Sequence, residues 1–407
     1  MSTTSNAVPV IFDNQSGGEV WIQFLNGVFG TGQTGAGGTV ALSGDTAYSL
    51  SDLTGPVPGL PGLGNVPNVA LSDFTNGRLY LNVGSAGLQN LGNGYQPASA
   101  TVTDPNYHTP YAYIELNVFG NPANNMDLSD IDFFSMALEA STWLNGQQVA
   151  AMTFVNSDPT ALGQGVETLA TLSGGQAVVG QITRVNGPGL APGYHDWTDY
   201  FTYLAGLPAP VATIAGTYAG QGAGSGSTTT EQTYSLTATF DQAAQTVTLS
   251  GSASVVGATT IVLTYAALNL PTGVYGANPS YSVNGGAQTG GIVNDVYGWV
   301  VADLLAGLNY GFLGSTTPVN SQPLGAYTSS QWLQLAADTP SIRFGGAQSN
   351  SAYYNGYAAQ IAKMTEDAYG FPFSDRVQQL LLYFPPAGQT NGVDYLKITI
   401  LPINYPL

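Results

Sequence analysis

Short stretches in which apolar and polar residues alternate, separated by clusters of Gly, Pro, Asn and Ser, run through most of this chain and predict strands rather than helices. Val8–Phe12 and Glu19–Leu25 flank Asp13-Asn-Gln-Ser-Gly-Gly18, which predicts a hairpin. Gly55-Pro-Val-Pro-Gly-Leu-Pro-Gly62 is excluded from a central strand because proline has no ladder N–H, so it reads as a surface loop. Gly77–Val83 and Tyr111–Phe119 read as further strands. Tyr234–Phe240 and Thr246–Ser250 alternate around Asp241-Gln-Ala-Ala-Gln245 and predict an antiparallel hairpin.

The helical signals come late. Val293, Val296, Val300, Leu304 and Leu308 recur at three- and four-residue steps, with Asn294 and Asp295 near the start. Ser329–Ala336 and Tyr354–Met364 read as shorter helices, and Tyr395–Leu401 returns to strand. Gly- and Ser-rich sequence from Gly216 to Gly226 and the run Thr228-Thr-Thr230 precede the second hairpin. The order predicts a mainly β protein. A β-barrel or sandwich lobe, residues 1–205, is completed by a C-terminal strand in 386–407. A mixed α/β lobe, residues 206–385, is inserted before that strand.

Composition narrows the partners. An apolar fraction of 43% in 407 residues is ample for a core, and no apolar run approaches a membrane span. Six Lys and Arg against 24 Asp and Glu leave a net charge of −18, which argues against nucleic acid or an anionic membrane as partner. Neutral polysaccharide remains compatible with the abundant hydroxyl, amide and aromatic groups. With no Cys, disulfides and thiolate metal sites are excluded. His108 and His195 lack helical ligand spacing and read as structural. No metal or cofactor is implied. Met1–Ala7 has neither the basic nor the apolar region of a secretory leader.

The candidate chemistry is carried by carboxylates. In Tyr111–Phe119, Ile114, Leu116 and Val118 form one apolar face, leaving Tyr111, Tyr113, Glu115, Asn117 and Phe119 on the other. Glu115 is therefore expected among aromatic and amide groups rather than beside Lys or Arg. Leu128-Ser-Asp-Ile-Asp-Phe-Phe134 brings a second acid. Regular antiparallel pairing through a loop centred between Ala123 and Asn124 would set Asp132 opposite Glu115, with Cβ atoms about 4.5–5.5 Å apart. Asp130 shares that face by parity. Two carboxyl groups on a rigid sheet are the minimum for cleaving a glycosidic bond; solvated surface acids are the plain alternative.

Several segments, in order, resemble glycoside hydrolase family 64, the laminaripentaose-producing β-1,3-glucanases related to thaumatin-like proteins. They are Gly77-Arg-Leu-Tyr-Leu-Asn-Val-Gly84, Gln96-Pro97, Asp104-Pro-Asn106, Tyr113-Ile-Glu-Leu116 and Leu128-Ser-Asp-Ile-Asp-Phe133, the last similar to a Ser-x-Val-Asp-Phe segment. Thr272–Gly276, Asp303–Asn309, Tyr353–Ile361 and Ala368-Tyr-Gly-Phe-Pro-Phe-Ser-Asp375 continue the match. The resemblance implies a barrel lobe and a mixed lobe flanking a wide groove. It also implies an extracellular, monomeric, inverting endo-type β-1,3-glucanase, with Glu115 as general acid and Asp132, rather than Asp130, as general base. Departures are Asn117 where Thr is usual, Ala137 where Pro is usual, and Ser374-Asp375 in place of Asp-Asp.

Flat rings offer apolar faces to sugars. Tyr111, Tyr113, Tyr275, Tyr281, Tyr369 and Phe373 are the candidates, and with Asn117, Asp130 and Asp375 they complete the expected substrate-binding set. Trp21 and Trp299 lie in apolar patterns and read as core. Arg78 and Arg376 read as partners of structural Asp residues. Two other functions fit the same fold: a thaumatin-like glucan-binding protein without catalysis, and a self-assembling surface or matrix protein.

Overall fold

A computed structural model describes residues 7–403 apart from 26, 36, 173–183, 191–193, 195, 220–230, 255, 289–290 and 293–294. His195, Val293, Asn294 and most of the Gly/Ser-rich stretch before the second hairpin lie outside the described residues. The chain is mainly β and divides into two units. The first comprises 1–187, 360–369 and 380–407, and the second 188–359 and 370–379. Against the expected bounds, 188–205 thus fall in the second unit, and 360–369 and 380–385 in the first.

The first unit is built on a 14-stranded, barrel-like sheet among the described residues. Its organiser is one 19-residue strand, Asn65–Val83. This corrects the expected first hairpin: Val8–Asn14 and Val20–Phe24 are strands but do not pair with each other. Val8–Ile11 pairs with one end of the long strand, at Asn68–Leu71, and Val20–Phe24 with the other, at Leu79–Val83. A bulge between Phe74 and Gly77, with Asn76 at φ 50°, separates the two halves. Bulges bend and twist a strand, so each half meets a different partner. Thr54–Pro56 pairs on the long strand as a short edge piece, where proline is tolerated.

The closing strand Tyr395–Ile400 lies between Val8–Asn14, in parallel, and Leu138–Leu144, antiparallel. Inward residues of these strands, among them Val10, Phe12, Ile22, Phe24, Leu79, Leu81, Ile114, Leu116 and Ile398, form one buried cluster. The helix Pro159–Leu172 was not anticipated in this unit.

The second unit contains a six-stranded antiparallel sheet running in sequence order from Ala212–Tyr218 to Gly286–Gln288. The expected hairpin is present as Gln232–Asp241 and Thr246–Ala253. Helices Thr198–Ala205, Val296–Tyr310 and Ser329–Asp338 pack against Ala212–Tyr218 and Gln232–Asp241. Val296–Tyr310 starts where the Asp295 carboxylate accepts the Gly298 N–H and stops at Gly311, which is left-handed at φ 77°. Nearly every residue of this helix is buried, so its apolar pattern is broad rather than one-sided. Ser329–Asp338 opens with a capping box between Thr328 and Gln331.

Candidate active site

The strand Tyr111–Val118 has the predicted two faces. Ala112, Ile114, Leu116 and Val118 enter the sheet's main core. Tyr111 and Tyr113 instead join Leu25, Tyr80, Leu88, Leu91 and Phe133 in a separate buried cluster, and Glu115 follows on that face, 44% exposed at its side chain. The register with the next strand differs from the expectation. Glu115 pairs with Asp127, not Asp132, because the turn is centred on Asn121. Asn124 closes that turn early: its side chain accepts the Phe119 N–H and its own N–H bonds the Asn121 carbonyl. The strand Asn125–Ser129 has ended before Asp132 is reached.

Asp132 returns to the site by another route. Tyr113, two residues from Glu115 on the same face, donates its hydroxyl to Asp132 Oδ2 at 2.9 Å. The Asp132 segment is pinned by the short strand Val185–Asn186, which pairs with Phe133–Phe134, and by the Gly187 N–H on the Asp132 carbonyl at 2.7 Å. Gly187 is required there, since a Cβ would sit 2.1 Å from the Ile131 carbonyl oxygen.

Glu115 has a cationic partner, contrary to expectation. Arg78 stands directly opposite it in the ladder between the long strand and Tyr111–Val118. Arg78 Nε and Nη2 approach Glu115 Oε1 at 3.2 and 3.1 Å. The guanidinium lies 4.1 Å over the Tyr113 ring, and its Nη1 reaches Gln96 Oε1, which also accepts from the Tyr80 hydroxyl. Glu115, Arg78, Tyr113 and Asp132 thus form one connected set. Burial, and then the nearby Asp132 charge, hold the Tyr113 hydroxyl well above its usual range, so it stays a donor.

Behind this set lies Arg184, fully buried, 4.3 Å over the Tyr111 ring and 5.4 Å from Phe133. It bonds the Tyr107 carbonyl, tying the 95–108 loop to the sheet. Asp104 orders that loop from within. Burial alone would raise its pKa, but hydrogen bonds from the Tyr95 hydroxyl and the Ala98 and Asn106 N–H groups hold it low. His108 is exposed, its ring edge-on to Tyr107.

The remaining expected residues scatter. Asn117 accepts the Asn76 N–H at 2.7 Å and donates to Asn125, so it braces the bulge. Asp130, placed by the true register on the face opposite Glu115, turns its carboxyl into a pocket walled by Leu128, Met136, Leu138, Phe154 and Ala368. Although the residue as a whole is half-buried, the carboxyl is enclosed, and loss of water raises its pKa to about 8. Tyr369 lends its carbonyl to the Asp130 N–H. Tyr275 is buried against Trp197 and Tyr194 in the second unit, Tyr281 is buried, and Phe373 is half-buried in the left-handed region at φ 69°. Asp375 is exposed. Trp21 and Trp299 are half-buried rather than core. Sequence reasoning named Gln96, Tyr80 and Phe133 only inside matched segments, and missed Arg184 and Gly187. Among the described residues no group of three or more His, Cys, Asp or Glu is placed to hold a metal ion, and no helix is long and apolar enough to cross a membrane.

No family model matches the sequence, and no curated protein sequence matches it. Solved structures do. A laminaripentaose-producing β-1,3-glucanase in complex with laminaritetraose superposes at a TM-score of 0.60, with 15% identity over 98% of this chain and 99% of that one. The chain has the fold of the family 64 β-1,3-glucanases. A family 64 β-1,3-glucanase domain from Clostridium beijerinckii matches at 0.52, with 12% identity and 98% of both chains covered. The laminaripentaose-producing enzyme from Paenibacillus barengoltzii, complexed with laminarihexaose, matches at 0.50 with 12% identity over 98% of this chain and 75% of that one. At these identities the likeness establishes the fold.

Proposed function

We propose that the chain is an inverting glycoside hydrolase that cuts β-1,3-glucan internally into short oligosaccharides, with Glu115 as general acid and Asp132 as general base. The observation that carries this reading is the shared face of Tyr111–Val118, where Glu115 stands two residues from the tyrosine that bonds Asp132. Inversion needs carboxyl groups roughly 6.5–9.5 Å apart, so that a water fits between the base and the anomeric carbon. Asp132 reaches that face through the Tyr113 hydroxyl rather than from a position opposite Glu115 in the ladder. In the reaction Glu115 gives a proton to the leaving glycosidic oxygen while Asp132 takes one from the attacking water. Arg78 engages only Oε1 of Glu115 and orients the carboxyl, so that Oε2 carries the proton given to the leaving oxygen. The substrate is a neutral polymer, consistent with the net charge of −18, and the enzyme acts as an extracellular monomer.

A second reading, glucan binding without hydrolysis, is favoured by one feature: Glu115 Oε1 already accepts two N–H groups from Arg78. Product release from laminarin and curdlan separates the two. Wild type should liberate oligosaccharides, and Glu115→Gln and Asp132→Asn should not. Folded wild type that releases nothing from either glucan would leave the binding reading in its place.

A further inference from the structure

The second unit contains a cavity of about 420 Å³ that shares no residue with the Glu115–Asp132 set. Its floor is a rigid polar assembly. Asp303, 1% exposed, accepts from the Tyr234 hydroxyl at 2.7 Å, from Ser329 Oγ at 2.9 Å and from Arg376, whose guanidinium lies 4.1 Å over the half-buried Trp299 ring. The walls are different in kind: Ser330, Gln334 and exposed Asp375 offer hydrogen bonds, and Leu333 and Ala337 of the helix Ser329–Asp338 supply an apolar strip. The volume falls within the roughly 300–1,000 Å³ of small-ligand sites. Two carboxylates against one guanidinium, in a chain of net charge −18, disfavour an anion, and Arg376 at the floor disfavours a cation. Mixed donors and acceptors beside an aromatic ring and an aliphatic strip match the alternating hydroxyl and C–H surfaces of a sugar. We propose that this cavity is a second carbohydrate site, sized for a mono- or disaccharide unit and independent of the acid pair. Only its preference for a β-1,3-linked glucose unit rests on the function proposed above.

The test is calorimetric titration of the full chain with laminaribiose, cellobiose and maltose. Ala337 is exposed on its helix and lines the cavity, so Ala337→Trp fills the space without disturbing the core. Binding of at least one disaccharide is expected, strongest for laminaribiose. Ala337→Trp should weaken it roughly tenfold or more, and Gln334→Ala about fivefold, the loss of one hydrogen bond. Binding should persist in Glu115→Gln. Absence of disaccharide binding in wild type, or binding that Ala337→Trp leaves unchanged, overturns the proposal. Glucan cleavage by wild type together with disaccharide binding that neither cavity variant weakens sinks this site alone; a working cavity in a protein that cleaves no glucan sinks the hydrolase reading alone.

Discussion

Arg78 and Arg376 each lie 4.1 Å over an aromatic ring and each pair with a carboxylate, yet their surroundings differ. Arg78 and Glu115 keep 29% and 44% of their side-chain surfaces open, whereas Arg376 and Asp303 keep 14% and 1%. The open pair costs little to break, because water and incoming hydroxyls can replace either partner. The closed pair cannot be broken without leaving an unpaired charge in the interior. One architecture, an arginine clamped between a ring and an acid, thus serves an exchangeable site in the first unit and a fixed floor in the second.

Substitutions on the two acids should therefore separate activity from stability. The largest effect is expected from Glu115→Gln, which should lower glucan cleavage by about 10²–10⁴-fold, the contribution of a general acid, while thermal unfolding stays within about 1 kcal/mol of wild type. Asp303→Asn should do the reverse, losing about 3–5 kcal/mol in urea unfolding because the Arg376 charge loses its partner. Equal loss of stability in both variants would erase the distinction. A smaller effect is expected from Tyr113→Phe, which removes the donor to Asp132 Oδ2 and leaves the ring under Arg78. The turnover rate should fall by roughly tenfold, with circular dichroism unchanged.

Asp130 adds a pH test beside the site. Its folded-state pKa of about 8 lies above the value near 3.9 of an unfolded chain. Below about pH 4 the carboxyl is protonated in both states and its contribution is fully present. As pH rises towards 8 the unfolded chain gives up the proton and the folded one keeps it, so stability is lost across that window. Asp130→Asn has nothing to ionise. Its melting temperature should gain on wild type steadily from pH 4 to 8 and no further above; parallel curves for the two proteins would refute the buried carboxyl.

Much of this was legible in the residues, and what was not has physical causes. Alternation fixed which side of Tyr111–Val118 each residue takes, because strand periodicity is local. The partner of a strand is not local. Val8–Phe12 and Glu19–Leu25 read as a hairpin until the bulged strand Asn65–Val83 takes one on each half. The register of Asp132 was misjudged because side-chain bonds of Asn124 shorten the turn, a contact invisible to spacing. The helix Pro159–Leu172 carries a start signal in Asp158-Pro159, but Gly163 and Gly165 interrupt its pattern; Gly165 packs where a Cβ would lie 2.7 Å from Met364 Sδ. Trp197, Tyr200, Phe201 and Leu204 do follow helical steps and would have revealed Thr198–Ala205. The Arg78–Glu115 pair needed a ladder that joins residues 37 apart in the chain, which one sequence does not display.

The central claim is that Glu115 and Asp132 act across a space wide enough for a water. Proton NMR of the first products from laminarin tests it most directly, since the anomer released before mutarotation records the geometry of attack. The account predicts that new reducing ends appear first as the α-anomer, inverted from the β-linkage. First appearance of the β-anomer, or no new reducing ends from folded protein, would contradict it.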